Sequence, residues 1–264
     1  MNRHNAEQGP LNVLVTGAAS GIGRAIAQHL ARAGHQVWLS DANLAAAQSA
    51  CADLLAESHR VIAAKLDVTS EADIADLFAD IASRCSGIDL LVNNAGIQHV
   101  APLEEFPPEK WRRLIDILLT GPALTTRAAL PGMKARNFGR IVNVGSIHAL
   151  VASPFKSAYV AAKHGILGFS KVIALETASH DITINTLCPA YVKTPLVEAQ
   201  IASQAAANGI PEQEVVDNIM LAPMPKKSFI STDELCGALD FLISPAARNM
   251  TGQEIVLDGG WVCR

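Results

Sequence analysis

Short runs of apolar and β-branched residues alternate with longer segments of helical period along the chain. The runs are LNVLVT (11–16), QVWLS (36–40), RVIAAKL (60–66), IDLLVN (88–93), RIVNVG (140–145), ITINTL (182–187) and EIVLD (254–258). The early ones are almost continuously apolar, which suits parallel strands covered on both faces. The segments between them carry helix starts. Ser70 precedes EADIADLFADIA and puts Asp73 at the third helical position, and Ser231 stands three residues before Glu234 as a capping box. Repeated βα units predict an α/β fold with a doubly wound parallel sheet. No linker or change of composition divides the chain. One domain is therefore expected over 10–264, behind a loose polar tail at 1–9. The stretch 195–230 breaks the rhythm, being long, partly helical and interrupted by Pro211, Pro223 and Pro225. We expect a substrate lid over the carboxyl edge of the sheet, the alternative being an irregular surface excursion.

Composition narrows the partners. The chain has 264 residues, 50% hydrophobic and 17% charged, enough to bury a core. Its net charge of -4 is scattered, with no basic block, so neither nucleic acid nor an anionic membrane surface is expected. No stretch reaches the ~18 apolar residues of a membrane span, and the first ten residues lack a signal peptide's apolar run. The five cysteines are widely spaced with no C-x-x-C, which favours core thiols over disulfides or a metal site. A cytoplasmic protein without a bound metal is the expectation.

Between the first run and the first helical segment lies TGAASGIG (16–23). Gly17 permits a tight turn, Gly21 lets backbone approach a pyrophosphate, and Gly23 allows close helix packing, with Ser20 and Ile22 in the same loop. Glycine spacing alone is a weak signal; the order of strand, loop and helix strengthens it. Asp41 ends the second run, 18 residues after Gly23. A carboxylate there accepts from both ribose hydroxyls of an adenosine and repels a 2′-phosphate. No Arg or Lys lies between Val37 and Asn43, so NAD is expected rather than NADP. Asp67 and Val68 end the third run, where Asp67 either meets an adenine amino group or simply makes a strand-end turn.

KSAYVAAKHG (156–165) sets Tyr159 and Lys163 one helical turn apart, with Lys156 just upstream. That is either a solvated polar stripe or a proton-transfer site. With TGAASGIG, NNAG (93–96), Ser146 and YVAAK (159–163) in this order, the chain resembles the short-chain dehydrogenase/reductase family over about residues 10–261. The resemblance implies a Rossmann-type sheet of seven strands, a nicotinamide cofactor and a homotetramer. It also implies that Asn94 and Gly96 support the cofactor-side strand and that Thr194 sits beside the nicotinamide carboxamide. Ser146, Tyr159 and Lys163 become the catalytic set: Ser146 orients the reacting oxygen, Tyr159 moves the proton, and Lys163 also holds the nicotinamide ribose. A free tyrosine has a pKa of about 10, and lowering it by about 2–3 units takes about 3–4 kcal/mol of phenolate stabilisation. Lys163 and the oxidised nicotinamide ring are the expected sources.

Within the family, NNAGIQH (93–99), FPPEKW (106–111), KSAYVAAKHG, TPLVEAQI (194–201) and LDGGW (257–261) resemble bacterial D-3-hydroxybutyrate dehydrogenases. The resemblance assigns Gln98, His148, Lys156 and Gln200 to a small carboxylic-acid substrate, with Trp261 as an apolar wall. A desolvated carboxylate requires a cation and several donors, which these residues could supply together. Departures are Ala190 and Tyr191 where those enzymes carry Gly-Trp, and Leu118 where the family has its proton-relay asparagine. Tyr191 keeps an aromatic wall but adds a hydroxyl, so a longer acid is open. The expected activity is interconversion of a 3-hydroxy acid and its 3-oxo acid. Oxidation of another small alcohol or sugar acid, or a cofactor-binding sensor weakened by Leu118, are the alternatives.

Overall fold

The computed structural model describes residues 9–57 and 59–263. The tail expected at 1–9 thus lies, up to residue 8, outside the described residues. Each of the seven apolar runs coincides with a strand to within two residues at either end: β1 (Asn12–Val15), β2 (Gln36–Asp41), β3 (Val61–Lys65), β4 (Leu90–Asn93), β5 (Gly139–Val144), β6 (Ile182–Pro189) and β7 (Glu254–Leu257). They form one sheet in the order β3-β2-β1-β4-β5-β6-β7, and every pairing is parallel. The order reverses between β1 and β4, and that switch point opens a crevice at the carboxyl ends of the strands.

Successive strand residues point to opposite faces, and both faces are covered. Val13 and Val15 of β1 join an apolar layer with Ile26 and Leu30 of α1 (Gly21–Arg32), Leu54 of α2 (Leu44–Ala56) and Leu239 of α9 (Thr232–Ile243). Leu14, between them, joins the opposite layer with Ile74 and Ile81 of α3 (Glu71–Arg84), Met133 of α5 (Gly121–Arg136) and Ile173 of α6 (Ser157–Glu176). This is why the early runs carry no polar alternation. Ser70 accepts from the Asp73 N–H at 3.1 Å, and the capping box of Ser231 and Glu234 is complete.

Ion pairs gather at the amino edge. The Arg140 guanidinium, 1% exposed, donates to the Asp181 carboxylate at 3.0 Å and to its carbonyl at 2.9 Å. Arg248 approaches the same carboxylate at 3.1 Å, and Arg136 pairs with Asp89 at 3.3 Å.

Two departures from regular structure flank the crevice. Between α4 (Pro108–Ile115) and α5 the helix widens into a π turn over Asp116–Thr120, where the Gly121 N–H donates to the Asp116 carbonyl. The stretch 195–230 folds as α7 (Pro195–Asn208), α8 (Glu212–Val215) and a second π turn over Val216–Met220, held by Ile201, Ala205, Val215 and Met220. Among the described residues, no helix is long and apolar enough to cross a membrane.

Candidate active site

Two adjoining clefts open at the carboxyl edge. The larger, of about 330 Å³, is lined by Gly17, Ser20, Gly21, Ile22, Asp41, Asp67, Val68, Asn94, Gly96, Tyr159, Lys163 and Thr194. Of the residues the sequence assigns to the cofactor, all but Gly23 lie in this wall. Gly23 stands behind: a Cβ on it would run into the Asn94 side chain and the Gly17 carbonyl, so its smallness is needed for packing. Gly17 has φ 61°, and a Cβ there would lie 2.6 Å from the Ala95 Cα. Ser20 is the N-cap of α1, and no side chain caps the first turn, whose N–H groups face the glycine loop. That uncapped, positive helix end is suited to a pyrophosphate. With Asp41 at the end of β2, the cleft fits a dinucleotide.

Asn94 ties the loop to the sheet. Its backbone N–H donates to Thr16 Oγ1, and its side-chain amide donates to the Thr16 and Gly17 carbonyls, each at 3.0 Å. Asp67 lines the cleft, but its carboxylate is engaged by its own turn. It accepts from the Thr69 N–H at 2.9 Å, the Thr69 hydroxyl at 2.7 Å and Arg113 at 3.3 Å. Arg113 also lines this cleft, and nothing in its sequence context signals that position.

The smaller cleft, of about 100 Å³, is lined by Gln98, Ser146, His148, Lys156, Tyr191 and Gln200. Tyr159 and Thr194 line both clefts and stand at their junction. Trp261 is outside this wall but supports it, stacking on Tyr191 with ring centres 6.0 Å apart and meeting His148 edge-on at 5.8 Å. Leu196 of α7, which the sequence reading missed, also lines both clefts.

A buried polar ladder seats α6, and with it Tyr159 and Lys163. The Asn93 side chain donates to Asn143 at 2.9 Å, and Asn143 donates to Ser170 of α6 at 2.9 Å. Thr125 donates to Asn93 at 2.7 Å, and Ser170 donates onward to the Ile166 carbonyl at 2.7 Å. Because every member has a partner, the ladder fixes register instead of destabilising the core.

Burial dominates the electrostatics of the junction. Burial raises the Tyr159 phenol above its ordinary pKa, and the Ser146 hydrogen bond opposes that rise. Lys163 donates to the Val144 carbonyl at 2.6 Å and lies 5.6 Å from the Tyr159 ring centre. Its own pKa is pulled down to about 8 by burial. Burial thus sets the direction of both shifts in the protein alone, whereas the lowering of Tyr159 expected above draws on the oxidised nicotinamide ring as well as Lys163. Burial likewise lowers Lys156 to about 8 and raises Tyr191 to about 12. His148 falls to about 3 through burial and then the neighbouring charge of Lys156, so it is neutral. Both its ring nitrogens are engaged, Nδ1 with Ser146 Oγ at 3.4 Å and Nε2 with Ser153 Oγ at 2.8 Å. Leu118 is 2% exposed, lines the larger cleft, and packs with Phe106, Leu114, Ala158 and Ala162.

Residues 11–205 match the family model for short chain dehydrogenases. The chain belongs to the short-chain dehydrogenase family. It is 48% identical over 254 residues to the D-beta-hydroxybutyrate dehydrogenase of Cupriavidus necator, covering 95% of this chain and 97% of that protein. It is 44% identical over 253 residues to the protein of the same name from Rhizobium meliloti, covering 95% and 98%. Among solved structures, an actinorhodin polyketide ketoreductase variant with NADPH superposes with a TM-score of 0.91 at 31% identity, covering 96% and 97%. As a short-chain dehydrogenase, the chain is an oxidoreductase that uses a nicotinamide cofactor.

Proposed function

We propose that this short-chain dehydrogenase interconverts D-3-hydroxybutyrate, or a similar 3-hydroxy acid, and the corresponding 3-oxo acid with NAD. The observation that carries the reading is Lys156, a cation 5% exposed in the wall of the smaller cleft, beside the junction held by Tyr159 and Ser146. A buried ammonium without an anionic partner is costly, and a substrate carboxylate would supply that partner. Gln200 Oε1, an acceptor, is also buried with no hydrogen-bond partner in the protein, which suits a substrate that brings a hydroxyl as well as an acid. The names of the relatives point the same way.

In this reading the glycine loop and the first turn of α1 hold the pyrophosphate, Asp41 the adenosine ribose, and Lys163 and Thr194 the nicotinamide end. The nicotinamide, when bound, takes up or gives the hydride at the substrate's carbinol carbon. The side chains manage the oxygen of that carbon. During oxidation Tyr159 takes the hydroxyl proton, and during reduction it returns the proton to the ketone. Ser146 donates to the same oxygen and orients it. Lys156 holds the carboxylate, with Gln98 and Tyr191 near it and Trp261 behind Tyr191. Residues 195–230 act as the lid, with α7 forming one wall of both clefts, and a homotetramer is the proposed assembly.

NADH formation with a panel of 3-hydroxy acids, sugar acids and neutral alcohols tests the reading. Short 3-hydroxy acids are expected to give the highest kcat/KM. Equal or better use of neutral alcohols would defeat it.

A further inference from the structure

His148 lines the smaller cleft, yet it offers the substrate no free nitrogen. Its ring bridges two hydroxyls, with Ser146 Oγ 3.4 Å from Nδ1 and Ser153 Oγ 2.8 Å from Nε2. The backbone N–H of His148 also donates to Ser146 Oγ, at 3.1 Å. Ser153 lies half-buried in the loop before α6, is not itself part of either cleft wall, and has no role in the reading above.

Counting protons decides which way these bonds run. A neutral imidazole carries one N–H, and a serine hydroxyl carries one proton. In the proposed reaction Ser146 donates to the reacting oxygen, so it is the donor on that side. Its single proton is then committed to the reacting side. Ser146 can meet His148 Nδ1 only if that nitrogen brings its own hydrogen. Since the buried ring is neutral, Nε2 is then bare, and its partner must donate. In the opposite tautomer Nε2–H would donate to Ser153, and Nδ1 would draw the Ser146 proton away from the reacting oxygen.

We infer that Ser153 is a positioning residue: by donating to Nε2 it holds His148 as the Nδ1–H tautomer and leaves the Ser146 proton for the reacting oxygen. His148 then donates twice to Ser146 Oγ, through its backbone and its ring, which makes the Ser146 hydroxyl a stronger donor. The inference rests on the proposed places of Ser146 and Tyr159 at that oxygen.

The test combines nitrogen NMR of ¹⁵N-histidine-labelled protein with kinetics of Ser153→Ala and Ser153→Thr, the His148 resonance being assigned with His148→Gln. Wild type and Ser153→Thr should show a protonated Nδ1 and a bare Nε2. Ser153→Ala should shift His148 toward the Nε2–H tautomer. Its kcat should fall by about 10-fold, the scale of one hydrogen bond, with KM for 3-hydroxybutyrate within about 2-fold. Threonine, which keeps the hydroxyl, should restore both signals. An Nε2–H tautomer in the wild type would overturn the inference, as would an unchanged kcat in Ser153→Ala or a rise in KM alone. If the wild type oxidises no hydroxy acid, the proposed function fails, while the tautomer spectrum still decides the role of Ser153.

Discussion

The Lys156 ammonium lies 3.2 Å from the Tyr191 hydroxyl and 5.3 Å from the centre of its ring. Tyr191 accepts from Lys156 and keeps its own O–H to donate, so the two residues present a pair of donors to one anion. Because Tyr191 is raised to about 12, it stays a neutral phenol at working pH. Tyr191→Phe keeps the stack on Trp261 and removes only the hydroxyl. The expected loss in kcat/KM for acids is about 1 kcal/mol, one ordinary hydrogen bond. An unchanged value would reduce Tyr191 to an apolar wall.

Lys156→Ala removes the cation itself. Acidic substrates should lose about 2–5 kcal/mol of transition-state binding, with neutral ketones nearly untouched. Equal losses for both would make the lysine structural.

The same lysine predicts a pH dependence. With a pKa of about 8, it is protonated below that pH and neutral above it. Acid binding needs the ammonium, so kcat/KM for the acid should fall as pH rises through about 8. Lys163 titrates in the same range, which makes the comparison with a neutral ketone essential. Only the acid should show the additional fall, and only while Lys156 is present.

Asp41 accepts from the Ala19 N–H at 3.3 Å and the Asn43 N–H at 3.0 Å, which sets its carboxylate against the glycine loop. NAD should be favoured over NADP, and Asp41→Ala should narrow that preference by about 1–4 kcal/mol. This is the Coulomb range for two charges ~4 Å apart between water and a protein surface. Equal use of both cofactors by the wild type would remove the charge argument.

Leu118→Asn exchanges packing for a possible proton path. The new amide enters an apolar cluster, so stability should drop by about 1–3 kcal/mol. Turnover should rise if an asparagine here restores the relay. Should the wild type bind NAD and turn over no acid while the asparagine variant does, the natural protein is better described as a sensor.

The strands and the glycine loop were legible because each is written locally, in apolar runs and in residues that alone tolerate the backbone. Asp41, Tyr159 and Lys163 were legible for the same reason, as spacings along one element. The π turn at Asp116–Thr120 was not, although Pro122 carried its signal. A proline cannot donate to the carbonyl four residues earlier, and that break in the helical ladder coincides with the widened turn. The burial of Tyr159 was not legible, because desolvation depends on everything packed around a group. The engagement of both His148 nitrogens and the seating of α6 by Asn93, Asn143 and Ser170 depend on residues distant in sequence. No spacing rule encodes such pairings.

The ion pairs at the amino edge give the sheet a structural end, as the clefts give it a chemical one. Asp181→Ala would leave the Arg140 guanidinium, 1% exposed, with two backbone carbonyls and the Phe138 ring but no anion. The cost should fall toward the lower end of about 3–5 kcal/mol, because Asp181 is itself partly exposed. Melting temperature should drop while kcat and KM hold. A sheet whose strands all point one way keeps its anchor and its chemistry a full strand length apart. Substitutions around the clefts can therefore alter substrate preference without disturbing the residues that keep the chain folded.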